Sequence, residues 1–211
     1  MGLVLVRVDP KKVEGRIVDV IDYSDTDLVL HEGKDLLKNT GDGFYYSDRP
    51  IPVDKQADPI GFVSKKVAEA AASLGKISLL RFHGHGLPGY QSVCMGFDLT
   101  VAEGDSPAKK TEAAKYDAFL NSYQSPQDRR GISRWNYPHI ATRLKNLAAC
   151  FAKDGQVWLM GCDVADEPDG PELVKLLAGL WGVPVSAGKD TQYGGDAATF
   201  YIEGGIVTGR P

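Results

Sequence analysis

No apolar run in this sequence approaches the ~20 residues that a bilayer-crossing helix needs. Met1–Val8 is apolar, but it has neither a basic leader nor a small-residue cleavage site, so it reads as a β-strand rather than a secretion signal. The cytoplasm is therefore the expected compartment, with export by a non-classical route left open. Cysteine is scarce as well. Cys94, Cys150 and Cys162 are an odd number at no metal-like spacing, which argues against a disulfide framework. Neither charge sign dominates: 24 Lys and Arg against 28 Asp and Glu leave a net charge of −4. Basic residues cluster no further than pairs such as Lys65-Lys66 and Arg129-Arg130, so nothing in the charge invites nucleic acid or an anionic membrane as partner. Internal repeats and low-complexity segments are missing too.

What remains is an ordinary globular composition, 43% hydrophobic and 25% charged over 211 residues, enough for one sizeable core. Strand-like runs at Leu3–Val8, Arg16–Ile21 and Leu28–His31 lead into a Gly-, Asn- and Pro-rich stretch to Asp58, read as loop with a hairpin. Asp58-Pro59 carries N-cap and N1 chemistry for a helix ending at Gly75. The strand Ile77–Phe82 follows. Residues 98–135 form an irregular insertion, with a strand near Tyr90–Phe97 before it, a short helix at Tyr116–Tyr123 within it and a loop tip at Ser125–Gly131. A helix from Pro138 with apolar positions Ile140, Leu144, Leu147, Ala148 and Phe151 is expected to end at Gly155. The strand Val157–Met160, a helix from Asp169 to Gly182, and strands at Val183–Ala187, Ala198–Ile202 and Ile206-Val207 complete the pattern. Helix–strand alternation with short glycine-marked connections predicts one α/β domain: residues 1–58 as N-terminal strands and loop, 59–211 as the core, a mostly parallel sheet with helices on both faces.

Ligands bind such sheets beyond the carboxyl ends of the strands. Two strands here end in chemistry. Ile77–Phe82 runs into His83-Gly84-His85-Gly86-Leu87-Pro88-Gly89, and Val157–Met160 runs into Gly161-Cys162-Asp163-Val164-Ala165. An imidazole and a thiol are the minimum for a cysteine nucleophile with its base. Only one of His83 and His85 is expected to face the thiol. Glycines beside them permit close backbone approach and leave N–H groups to stabilise an oxyanion. The same residues admit blander readings. A cysteine after a strand is commonly a small core hydrophobe, Gly86-Leu-Pro-Gly89 is also a plain turn, and His-x-His suits zinc, although no third ligand stands at a recognisable spacing.

Together, Phe82-His-Gly-His-Gly-Leu-Pro-Gly89 and Trp158-Leu-Met-Gly-Cys-Asp-Val-Ala165 resemble the caspase-like (clan CD) cysteine peptidases. The likeness is to a bacterial branch with a His-Gly-x-Pro-Gly turn and a Gly-Cys-x-Val-Ala corner. Val185-Ser-Ala-Gly188, Gln192-Tyr-Gly-Gly195 and the last strand resemble the ending of the same branch. The resemblance spans roughly Ile77 to Val207, with an unmatched middle. It implies a three-layer caspase–haemoglobinase fold and a cysteine endopeptidase acting on polypeptides, with self-processing or a bacterial effector or defence role as its settings. His85 would be the catalytic histidine and Cys162 the nucleophile, with the backbone N–H groups of Gly86 and Cys162 as oxyanion donors. His83 departs from the pattern, as a group tuning His85 or as an alternative base. Asp163, Asp190 and Gln192 are candidate pocket walls, suited by charge to a basic P1 side chain. No metal or other cofactor is implied. The competing reading is a catalytically silent relative that serves as a protein-interaction module.

Overall fold

The computed structural model describes residues 4–6, 16–24, 47–96, 107–194 and 200–211. In chain order the first elements are strands β1 (Val4–Val6), β2 (Arg16–Asp22) and β3 (Arg49–Val53), helix α1 (Pro59–Leu74), and strands β4 (Ile77–His83), β5 (Gly86–Leu87) and β6 (Tyr90–Ser92). Helix α2 (Pro107–Leu120), strand β7 (Gly131–Ser133), helix α3 (Tyr137–Leu144) and a 3-10 turn over Lys145–Cys150 come next. Strand β8 (Phe151–Leu159), helix α4 (Asp169–Trp181) and strands β9 (Val185–Gly188), β10 (Gln192–Gly194), β11 (Phe200–Ile202) and β12 (Ile206–Gly209) finish the chain.

Six strands form the central sheet in the order β3-β2-β4-β8-β9-β12. The first five are parallel and β12 pairs antiparallel with β9. The chain steps outward from β2 to β3 and then back across to β4. This makes the β2/β4 boundary the topological switch point, where a crevice opens beyond the strand ends. The carboxyl end of β4 carries His83, and the paired β8 ends at Leu159, one turn before Cys162.

Register explains which face holds the core. Val18, Leu80, Val157 and Val185 form one row across the sheet, and Val20, Phe82, Leu159 and Ala187 form the next. Residues in register share a face, and this face packs against Ile60, Val63 and Val67 of α1, Ile140 and Leu144 of α3, and Leu173 and Leu177 of α4. Trp181 stacks parallel to Phe82 with ring centroids 6.2 Å apart, and its indole N–H donates to the Leu144 carbonyl at 3.0 Å. Right-handed crossovers from β3 to β4, β4 to β8 and β8 to β9 all advance in one direction, so their helices share one side. The β2-to-β3 connection, which steps the other way, lies outside the described residues.

The opposite face is buried as well, by Ile17, Ile21 and Leu79 together with three ionisable groups, Asp19, Arg81 and His83, none more than 1% exposed. Arg81 grips Asp19 with two hydrogen bonds, Nε to Oδ1 at 2.5 Å and Nη2 to Oδ2 at 2.9 Å. His83 Nε2 lies 2.7 Å from the same Oδ1. Burial alone would raise the Asp19 carboxyl, but the Arg81 charge and the His83 hydrogen bond hold it at about 2.

Several elements follow the expected chemistry. Asp58 caps α1 by accepting from the Gly61 N–H at 3.2 Å, and Gly182 ends α4 in the left-handed region at φ 69°. Others differ. The apolar N-terminal segment forms β1 outside the central sheet, pairing antiparallel with β11 in a small sheet with β10. Arg49–Val53, expected to be loop, is an edge strand that tolerates Pro50 and Pro52 because an edge needs fewer N–H donors. The core thus begins at β2, not at residue 59. The α3 helix stops at Leu144, and Phe151 and Gly155 belong to β8 rather than to a longer helix. The register there slips from Ile77↔Phe151 to Leu79↔Gln156, and Gly155 sits in that irregularity against the Ile77 carbonyl. Pro107–Leu120, expected to be mostly exposed insertion, is helical. The strand expected at Leu28–His31 falls outside the described residues. No described helix is long and apolar enough to cross a membrane.

Replacing Asp19 with Asn leaves the Arg81 charge buried without its counter-ion, and the expected cost is about 3 kcal/mol or more in denaturant melts at neutral pH. The wild-type pair contributes stability above the unfolded carboxyl range and loses it as pH falls from about 4 towards about 2, a change of ~2 kcal/mol. Acid titration of the melting midpoint should show this slope in the wild type and a flatter one in the Asn variant.

Candidate functional site

The two strand ends meet through their backbones. A side chain at Gly86 would place its Cβ 2.1 Å from the Cys162 carbonyl oxygen and 2.7 Å from the Gly161 carbonyl carbon. One at Gly161 would lie 2.7 Å from the Gly86 Cα and 2.9 Å from the His85 carbonyl carbon. Both positions therefore require glycine, and their mutual approach brings His85 and Cys162 onto adjoining turns. Each of these two residues is half-buried, with the His85 Nε2 atom itself shut off from solvent. Cys94 and Cys150, in contrast, are buried core thiols whose ionisation is pushed up by burial.

The Cys162 turn is fixed at nearly every residue. Met160 N–H donates to the Phe82 carbonyl at 2.8 Å, carrying the β4–β8 pairing one residue past the strand. Gly161 N–H donates to the Gln91 side-chain oxygen at 2.8 Å, Asp163 N–H to the Asp190 carbonyl at 3.3 Å, and Ala165 N–H to the Gly188 carbonyl at 2.8 Å. Val164 accepts from the Gly89 N–H at 3.1 Å, tying the turn to the histidine loop. Asp163 adopts φ 60°, the left-handed region that Asp tolerates better than most residues, and this reverses the chain just after the thiol.

His83 and His85 would share a face if β4 continued, since alternate residues point the same way. The strand ends at His83, and the chain bends at Gly84, whose absent side chain makes room for Ser92 Oγ and the Asp22 Cβ. His83 accordingly lies on the buried sheet face against Asp19, and His85 lies in the loop. His83, only 1% exposed and bonded to Asp19, is thereby placed as a buried group behind the loop that carries His85. Asp22, at the end of β2, is also buried. Burial raises its carboxyl, and hydrogen bonds from Ser24 and the Met95 N–H work in the other direction.

Asp163 and Asp190 lie together beside Cys162. Burial raises the Asp163 carboxyl first, and the charges of Asp190 and Asp166 raise it further. The Asp190 carboxylate accepts from Thr191 N–H at 2.7 Å. Gln192 begins β10, and its side chain lies outside the described residues. A separate cleft between residues 126–129 and the His139/Arg143 face of α3 shares no residue with either loop. Among the described residues no group of three metal-ligating side chains converges. Sequence reasoning missed Gln91 and Asp19; a lone glutamine in a polar run and an aspartate within an apolar strand carry no motif.

Residues 129–199 match the family described as Domain of unknown function (DUF4347). The matched stretch includes Cys162 and Asp190 but stops short of His85. No curated protein matches the chain. A crystal structure of a short chain dehydrogenase from Mycobacterium avium is similar over 81% of this chain and 68% of that one, at 12% identity and a TM-score of 0.32. A likeness at that level carries no functional argument.

Gly86→Ala is expected to push the His85 and Cys162 turns apart, since the new methyl group meets a backbone carbonyl that has nowhere to go. The cost should be about 1–3 kcal/mol or more in thermal melts, with a changed rate of Cys162 alkylation. The same substitution at Gly179, inside α4 where a Cβ meets nothing, should leave the alkylation rate unchanged and raise the melting midpoint slightly.

Proposed function

We propose that the protein is a cysteine endopeptidase with His85 and Cys162 as its dyad, built on a caspase-like fold. The observation that carries this reading is the backbone contact of Gly86 with Gly161 and Cys162, which sets an imidazole and a half-buried thiol on adjoining turns at the carboxyl edge of a mostly parallel sheet. That edge is where such sheets hold ligands. A second face covered by helix, completing a three-layer sandwich, is part of the same proposal.

In this scheme His85 takes the Cys162 proton as sulfur attacks the scissile carbonyl carbon. The N–H groups of Gly86 and Cys162 receive the oxyanion. His85 then returns the proton to the leaving amine as the C–N bond breaks, leaving a thioester. Water adds to the thioester with His85 as base, releasing the carboxylic acid and restoring the thiol. The carboxylates of Asp163 and Asp190 favour a basic side chain next to the scissile bond. The polypeptide substrate and a cytoplasmic setting are parts of the proposal.

The test is covalent labelling with a peptidyl acyloxymethyl ketone followed by peptide mapping. Modification is expected at Cys162 ahead of Cys94 and Cys150, falling by about a hundredfold or more in His85→Ala and vanishing in Cys162→Ala. Equal labelling of all three thiols, with no peptide hydrolysis, would instead identify a silent interaction module. Among ketones differing in the P1 side chain, those with Lys or Arg should react fastest, and Asp190→Asn should narrow that preference by about three- to tenfold.

A further inference from the structure

Strand β6 touches both halves of the dyad at once. Its Ser92 N–H donates to the His85 carbonyl at 2.8 Å, and its Gln91 pairs with Gly86 across the β5–β6 ladder. The Gln91 side chain, fully buried, then crosses to the other turn. Its Oε1 accepts the Gly161 N–H at 2.8 Å, and its Nε2 donates to the Ser92 carbonyl at 3.1 Å, which fixes which way the amide faces. One residue thus spans the histidine loop through its backbone and the thiol turn through its side chain. A buried glutamine sits at a cost unless both ends of its amide are bonded. Here both are, and the acceptor end serves the residue immediately before the nucleophile.

Resting on the peptidase reading above, we propose that Gln91 is a positioning residue that sets the Cys162 turn, and with it the nucleophile and its oxyanion N–H, against His85. This bond anchors the peptide plane joining Met160 to Gly161, the one directly before the plane that carries the Cys162 N–H. Rotation of the turn would swing both the thiol and the Cys162 N–H, because they belong to the next residue. Glycines at 84, 86 and 161 leave the contact with little side-chain packing beyond the buried Val164 methyl group beside Gly86. Directional hydrogen bonding from a neighbouring strand replaces it.

The test compares the full-length wild type with Gln91→Leu, which removes the acceptor at similar volume, and Gln91→Glu, which keeps an oxygen in its place. Peptide hydrolysis by Gln91→Leu should show kcat lowered roughly 10- to 100-fold with KM altered less than about threefold, the signature of lost alignment rather than lost binding. Gln91→Glu should recover part of that loss. Hydrogen exchange of the peptide containing Gly161 should quicken about tenfold or more in Gln91→Leu, with β4 and α4 unchanged. If Gln91→Leu fails to fold, Gln91→Glu carries the comparison on its own, expected between wild type and Cys162→Ala. Wild-type kcat and unchanged Gly161 exchange in both variants would overturn the proposal. A wild type without peptidase activity would overturn the peptidase reading and the catalytic meaning of Gln91 with it. The exchange measurement would then still report whether the anchor exists.

Discussion

Two glycine backbones in van der Waals contact govern the layout of this molecule's candidate site. Gly86 and Gly161 approach so closely that neither tolerates a Cβ, and everything with chemical potential hangs from the turns they join. A contact of that kind is unforgiving. Beyond the Val164 methyl group it brings little side-chain burial of its own, so the strands beneath must hold it: β4 and β8 are paired in parallel register up to Phe82 and Leu159, and the Met160 N–H extends the ladder one residue more. The hydrophobic rows through Leu80, Val157 and Phe82, Leu159 anchor both strands to α1, α3 and α4. At the candidate site the core keeps two loop ends at fixed separation.

Charge is arranged on the two sides of that contact in different ways. Beneath it, Asp19, Arg81 and His83 form a buried and mutually compensated cluster, which occupies one histidine of the His-Gly-His run with a structural task. Beside it, Asp163, Asp166 and Asp190 gather without a described cationic partner among them, raising the Asp163 carboxyl through burial and mutual repulsion. The first arrangement stabilises the fold; the second leaves negative potential at the mouth of the thiol turn. Separation of the two is the work of Gly84, which ends β4 and redirects the chain between His83 and His85.

Much of the scaffold was legible in residues. Asp58-Pro59 and Gly75 bounded α1 because capping is local chemistry, and Gly182 ended α4 for the same reason. The parallel core showed itself through runs such as Ile77–Phe82, mostly apolar because the strand is buried on both faces. Where neighbours in space decide, reading failed. Phe151 continues the helical spacing of α3 yet starts β8, since pairing with Ile77 outweighs local periodicity. Pro50 and Pro52 disguised an edge strand. At the candidate site, the adjacency of the His85 and Cys162 turns was inferable from strand ends, but which histidine is buried against the sheet was not. Asp19 decides that, 64 residues away in sequence. Gln91 was invisible for the same reason: its meaning comes from Gly161, with which it shares no spacing.

In the proposed dyad one imidazole lies near one thiol, and ionisation of either should therefore depend on the other. The most direct measurement is the NMR titration of the His85 imidazole in the wild type and in Cys162→Ser. A midpoint that moves on replacing the thiol is the predicted result. Superimposable His85 curves in the two proteins would contradict it.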